Sequence, residues 1–81
     1  MLYLIDKRLA DAGLRAARED PDARIALVQD GVLLDPDLDV PTVAVRSDAE
    51  VRGVDLPDGV EPVEYDELVA LLFEHEVASF V

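Results

Sequence analysis

Ile25-Ala26-Leu27-Val28-Gln29-Asp30-Gly31-Val32 passes from unbroken apolar character into an acid-glycine turn within one short segment. Four apolar residues in succession, with no polar alternation, describe a strand buried on both faces. Such strands belong to parallel sheets covered by helices. The strand runs from Arg24 to Val28, and the Asp30-Gly31 turn follows it. Aspartate ends strands readily because its side chain bonds nearby backbone amides, and glycine permits positive φ. Ligands and reactive groups in open α/β sheets collect at the carboxyl ends of the strands. Gln29, Asp30 and Gly31 are therefore both an ordinary turn and the first candidate functional residues. Asp30 in particular can act as a general base or orient a group on a partner.

Upstream, Leu2-Tyr3-Leu4-Ile5 forms a short apolar run that reads as another buried strand. Asp6 can cap a helix by accepting hydrogen bonds from the free N–H groups of its first turn. Leu9, Ala10, Gly13, Leu14 and Ala17 then share one helical face, with Arg8, Asp11, Arg15 and Arg18 off it. Lys7 with Asp11, and Arg15 with Glu19, stand four apart and can pair weakly. Pro21 ends the helix. Strand, helix and strand make a βαβ unit with a right-handed crossover.

Downstream, Gly31 to Pro41 is the least regular segment. Pro36, Pro41 and the interleaved Asp35, Asp37 and Asp39 argue against a helix. Val32, Leu33, Leu34, Leu38 and Val40 are too apolar for a free loop, and lie over the sheet or face another subunit. Thr42 to Val45 is a third strand. Ser47-Asp48-Ala49-Glu50 has the form of a capping box for a very short helix, which Gly53 closes in the left-handed position. Val60 to Glu64 is a fourth strand, placed at an edge or a strand start by Pro62. Asp66 to Glu74 is a helix with a wide apolar face of Leu68, Val69, Leu71, Leu72 and Phe73. Val77 to Val81 is a last strand. The expected fold is α/β, a single domain over residues 1–81. It has a small, mostly parallel sheet of about four to five strands with flanking helices.

Composition narrows the function. An 81-residue chain buries only roughly 60 % of the surface that its unfolded form exposes. Disulfides and thiolate metal sites are excluded because there is no cysteine, and His75 is the single histidine. Association with a partner is the remaining common source of added stability. No apolar run approaches the roughly 18 residues that span a bilayer. Met1 leads directly into an apolar strand with no basic stretch, which points to a cytoplasmic protein. Nineteen acids against seven bases give a net charge of -12. Such a surface repels nucleic acid, so direct binding of a duplex or tRNA by this chain alone is not expected. Twelve of the acids are aspartate and only Lys7 is lysine. That bias fits a halophilic cytoplasm, where salt screens self-repulsion over a few ångströms.

Three further features carry chemistry or its absence. Arg52-Gly53 can present a guanidinium to an anion or a partner carboxylate, or simply close a helix and neutralise local acids. His75 is the one histidine, a residue type suited to proton transfer. It is a proton shuttle if Asp30 and Arg52 converge on it, or a helix C-terminal residue stabilised by the dipole. No cysteine or serine nucleophile is visibly paired with it. Asp35, Asp37 and Asp39 lack the remaining ligands of a calcium loop. No glycine-rich phosphate loop, nucleophile elbow or zinc spacing is present. The two tyrosines and two phenylalanines are too spread for a base-stacking platform.

The order of these pieces resembles the DsrH/TusB family. An apolar strand leads into Asp30-Gly31-Val32; Asp48 and Arg52-Gly53 follow a further strand; then come Glu64-Tyr65, Val69, Leu71, His75 and Phe80. The resemblance covers most of the chain and is strongest from Ile25 to Phe80. It implies a DsrE/F/H-like α/β fold. It also implies a non-enzymatic, cofactor-free subunit that assembles with DsrE/DsrF-like (TusD/TusC-like) proteins. In such complexes a DsrE/TusD-type subunit holds the reactive cysteine, and sulfur is relayed for wobble-uridine 2-thiolation of tRNA or for sulfur oxidation.

Two departures from the family pattern matter. The segment between Val32 and Thr42 is short, so a helix there is reduced to a loop, which should thin the cover on one sheet face. Some members carry a cysteine on the first helix, and none of Asp11, Ala12, Gly13, Leu14 or Arg15 can replace it. Covalent sulfur carriage on cysteine is therefore impossible for this chain. The interface expected from these features is the apolar Val32 to Val40 loop, with Leu33 and Leu34 as its candidate residues. The alternative is a stand-alone homo-oligomeric or small-ligand-binding α/β protein with no sulfur-transfer role.

Overall fold

The computed structural model describes residues 1–36 and 39–81. Five strands, β1 (Leu2–Ile5), β2 (Arg24–Leu27), β3 (Thr42–Val45), β4 (Val60–Val63) and β5 (Val77–Phe80), form one sheet in the order β4-β3-β2-β1-β5. All four neighbouring pairs are parallel. The helices are α1 (Ala10–Arg18), α2 (Arg46–Val51) and α3 (Tyr65–Glu74), with 3-10 helices at Lys7–Leu9 and Gln29–Leu33. The expected α/β class and parallel sheet are therefore present.

Chain order explains where the helices lie. The chain steps outward from β1 to β4, then returns past β1 to place β5 on the far edge. Crossovers of a single hand must put the outward connections on one face and the return helix on the other. The core divides in that way. On the first face Tyr3, Ile5, Ile25, Leu27 and Ala44 pack with Ala10 and Ala17 of α1, with Val32, and with Ala49 of α2. On the second face Leu2, Ala26, Val28 and Val45 pack with Leu68 of α3, flanked by Leu71 and Leu72. The central strand β2 is buried from Ile25 to Leu27, as an unbroken apolar run requires. Pro62 sits on the edge strand β4, where its missing N–H leaves no central ladder bond unmade.

Several local expectations hold. Asp6 accepts a hydrogen bond from the Lys7 N–H, although the chain makes one 3-10 turn before α1 begins. Gly53 has φ +64° and follows α2, with its N–H donating to the Glu50 carbonyl. Beyond α1, Asp20 accepts the Asp22 N–H and the Tyr3 hydroxyl, each at 2.9 Å, and ties the loop to β1.

Others need correction. Ser47 is not a cap: α2 starts at Arg46, its N-cap is Val45, and no side chain caps it. The capping box belongs to α3, where Glu64 and Glu67 satisfy each other's backbone N–H groups. Leu9 is exposed, because the 3-10 turn rotates it off the apolar stripe of α1. Lys7–Asp11 and Arg15–Glu19 form no salt bridge among the described residues. Val32, Leu34 and Val40 lie over the first sheet face, whereas Leu33 is exposed. Asp37 and Leu38 lie outside the described residues. The short β2–β3 connection does not leave its own face thin. The sparse face is the second, which α3 covers alone. Among the described residues no helix is long and apolar enough to cross a membrane.

Candidate functional site

The carboxyl edge of the sheet gathers most of the candidate polar residues. Asp30 follows β2, and Asp48 and Arg52 lie one helical turn apart at α2. Tyr65 opens α3. Arg52 donates from Nε to Asp30 Oδ1 at 2.8 Å and from Nη1 to the Asp48 carbonyl oxygen at 3.1 Å. Its Nη1 also lies 3.9 Å from Asp48 Oδ1. The Asp48 carboxylate accepts the Gln29 backbone N–H at 2.8 Å and the Tyr65 hydroxyl at 2.9 Å. A second link, from Arg46 Nε to Glu64 Oε1 at 2.9 Å, joins the start of α2 to the cap of α3.

The backbone beneath this network is unusual at two points. Gln29 adopts φ 51°, a left-handed conformation that a residue with a Cβ rarely takes. That rotation accompanies the bond from its N–H to Asp48. Gly31 does not supply positive φ, as its place in the turn suggested. Instead it is buried, and a Cβ there would overlap the Ile5 carbonyl oxygen and lie 3.2 Å from Asp6 Cα. Glycine is required so that the 3-10 helix after β2 can press against the end of β1.

The network is mostly at the surface, but Asp48 is not: its side chain is only 13 % exposed, against 60 % for Asp30. Hydrogen bonding to Asp48, then partial burial, raises the Tyr65 phenol above its usual value. The bond to Asp30 favours the charged form of Arg52. Each polar group here is engaged by a neighbour, and together they tie the β2 turn, α2 and α3 into one unit. The chemical capacity of the arrangement is that of a brace.

The remaining candidates lie elsewhere. His75 follows α3 as its C-cap and borders a shallow depression with Met1, Pro21, Asp22, Arg24 and Pro41. Those residues mark the amino edge of the sheet, one full strand length from Asp30 and Arg52. A convergent Asp30–Arg52–His75 centre is therefore not formed. Gly53 caps α2 and touches nothing through a would-be Cβ. Leu33 is 47 % exposed beside the half-buried Leu34. Asp48 and Tyr65 are the functional-edge residues that sequence reasoning placed only as motif positions. The available signal was Asp48 four residues before Arg52, which predicts one helix face for both.

Compared with known proteins, the chain matches no family model and no curated protein.

Proposed function

We propose that this chain is a non-catalytic assembly subunit of the DsrH/TusB kind, acting through association with DsrE/DsrF-like proteins in a sulfur relay. The observation that carries the reading is the closed carboxyl edge. There Asp30, Arg52, Asp48 and Tyr65 are bonded to one another and to backbone, and the single histidine lies at the opposite edge of the sheet. The chain also has no cysteine with which to hold sulfur. A sulfur-bearing partner would supply the nucleophile, and this subunit would supply surface. Leu33, exposed at the tip of the 3-10 helix that follows β2, is the contact that the reading predicts on the first face.

The test is an affinity pull-down of tagged protein from its native extract at the salt of its own cytoplasm, with mass spectrometry of the retained proteins. The expected result is a DsrE- or DsrF-like protein with a reactive cysteine, and its loss when the bait carries Leu33→Asp. Because Leu33 is already exposed, that variant should fold. Recovery of the chain alone as a discrete oligomer on sedimentation, or an unchanged yield of complex with Leu33→Asp, would overturn the reading.

A further inference from the structure

The second sheet face is incompletely covered. Five strands about 4.8 Å apart span roughly 19 Å between the outer pair, and one helix with its side chains is only about 10 Å wide. On the first face α1, α2 and a 3-10 helix provide that width; on the second, among the described residues, there is α3 alone. Leu68 seats α3 over the residues of β1, β2 and β3. Between α3 and the β3–β4 side of the sheet a groove of about 430 Å³ is left open. Its walls include Leu2, Val43, Val63, Ala70 and Leu71. Parallel sheets with apolar strands are normally covered on both faces.

Charge indicates what fits there. Beyond Arg52 the sequence has no lysine or arginine, and it has eight acids: Asp55, Asp58, Glu61, Glu64, Asp66, Glu67, Glu74 and Glu76. This segment contains β4, α3 and β5, and four of its acids, Glu61, Asp66, Glu67 and Glu74, lie within β4 and α3. Glu61 and Glu67 are exposed and border the groove, whose single base is Arg24. Phe73 and Val69, 89 % and 46 % exposed, add apolar surface elsewhere on α3, outside the groove lining. A second copy would bring the same acids against these, so like charges oppose self-association.

We propose that this groove seats an amphipathic helix of a basic protein partner, with its apolar face on Val43, Ala70 and Leu71 and its lysine or arginine side chains against Glu61 and Glu67. The helix completes the second layer that α3 begins. The partner's identity in the subunit assembly rests on the reading proposed above; the groove itself does not.

The experiment uses the whole chain and a synthetic, fluorescein-labelled helical peptide with leucine on one face and lysine on the other. Controls are its scrambled sequence and its glutamate-for-lysine counterpart. Binding is read by fluorescence anisotropy and by amide chemical-shift changes. The lysine helix should bind and shift the amides of Val43, Ala70 and Leu71. Ala70→Trp, which fills the groove from an exposed position, should weaken it about tenfold or more, a difference of about 1.4 kcal/mol. Glu61→Lys should also weaken it, and circular dichroism confirms that both variants fold. Equal binding of the scrambled or glutamate peptide overturns the proposal. So does a dimer that Ala70→Trp dissociates, or a small molecule retained in native mass spectrometry and lost with Ala70→Trp. If a relay partner is recovered from extract and Ala70→Trp leaves that complex intact, the groove fails and the subunit reading stands. If no relay partner is recovered while the peptide binds and Ala70→Trp abolishes it, the groove stands and the subunit reading fails.

Discussion

Asp48→Ala removes the acceptor on which the carboxyl-edge brace is centred. In the native chain this carboxylate takes the Gln29 N–H at 2.8 Å and the Tyr65 hydroxyl at 2.9 Å. Water reaches both donors, so each bond contributes about 1 kcal/mol, below the range usual for a buried ionised acceptor. Alanine's better helix propensity in α2 returns roughly 0.5 kcal/mol. The expected net loss is thus about 1.5 kcal/mol, against roughly 4–12 kcal/mol of total stability for a domain of this length. The thermal midpoint should fall by about 6–12 °C. Urea denaturation followed by far-UV circular dichroism gives the free energy, with an unchanged slope if only stability has altered. Tyr65→Phe completes a double-mutant cycle. It should cost about 1 kcal/mol alone and close to nothing beside Asp48→Ala. Asp48→Asn, which keeps an oxygen acceptor, should fall between. A loss under about 0.5 kcal/mol for Asp48→Ala, or strict additivity with Tyr65→Phe, would refute the brace.

Gly31→Ala should be the more damaging change. Its Cβ meets the Ile5 carbonyl, which already accepts the Val28 N–H at 3.1 Å, so backbone must move on both sides. A cost of about 3 kcal/mol or more is expected, read as a large drop in the urea midpoint; a native midpoint would mean that β1 and the 3-10 helix separate freely. Stability should also depend on pH at both extremes. The Asp22 N–H and the Tyr3 hydroxyl hold Asp20 below the usual carboxylate value. Its contribution is therefore complete above about pH 4 and is lost as pH falls through the lowered value. Burial, then Asp20, raises Tyr3, and Asp48 raises Tyr65. Their contributions are complete below about pH 10 and are lost as pH rises through the raised values. Thermal midpoints should show both limbs, with Asp20→Asn flattening the acid one. Tyrosinate absorbance should appear at higher pH in the folded chain than in the unfolded chain, and coincident titrations would contradict the two tyrosine–aspartate bonds.

The elements that local physics controls were legible in the sequence. The unbroken run Ile25 to Val28 announced a buried parallel strand, Gly53 announced a left-handed helix end, and Pro62 announced an edge. Each signal acts through its own backbone or through burial, so neighbours in sequence suffice to read it. What failed depended on competition. Ser47 looked like a cap, but α2 begins earlier, and the neighbouring carboxylate of Asp48 is taken by Gln29 and Tyr65 instead. Gly31 looked like a positive-φ residue, but the sheet brings β1 so close that space governs the position, and Gln29 takes the left-handed turn. Asp30 and Arg52 were each readable as candidates. Their bond spans 22 positions in sequence and follows only from the strand order. His75 was separated from them by the same topology, since the chain enters β5 at the amino edge.

Two surfaces of this small sheet therefore have opposite characters, and the chain's order produces both. The outward steps from β1 to β4 bring three connections to one face, and the turns between them meet at the carboxyl edge. There, opposite charges from separate elements are close enough to bond, and the edge is closed by its own side chains. The single return step brings only α3 to the other face, built from a segment with no lysine or arginine. Among the described residues Arg24 is the one base that borders the groove with Glu61 and Glu67, and no second helix covers the half-buried Val43. A fold of this length has little stability to lose by leaving apolar strand surface wet. Apolar surface beside an excess of acids is satisfied most fully by a surface that is both apolar and basic. Chemistry at the closed edge would require breaking bonds that hold the fold together; association at the open face would require breaking none.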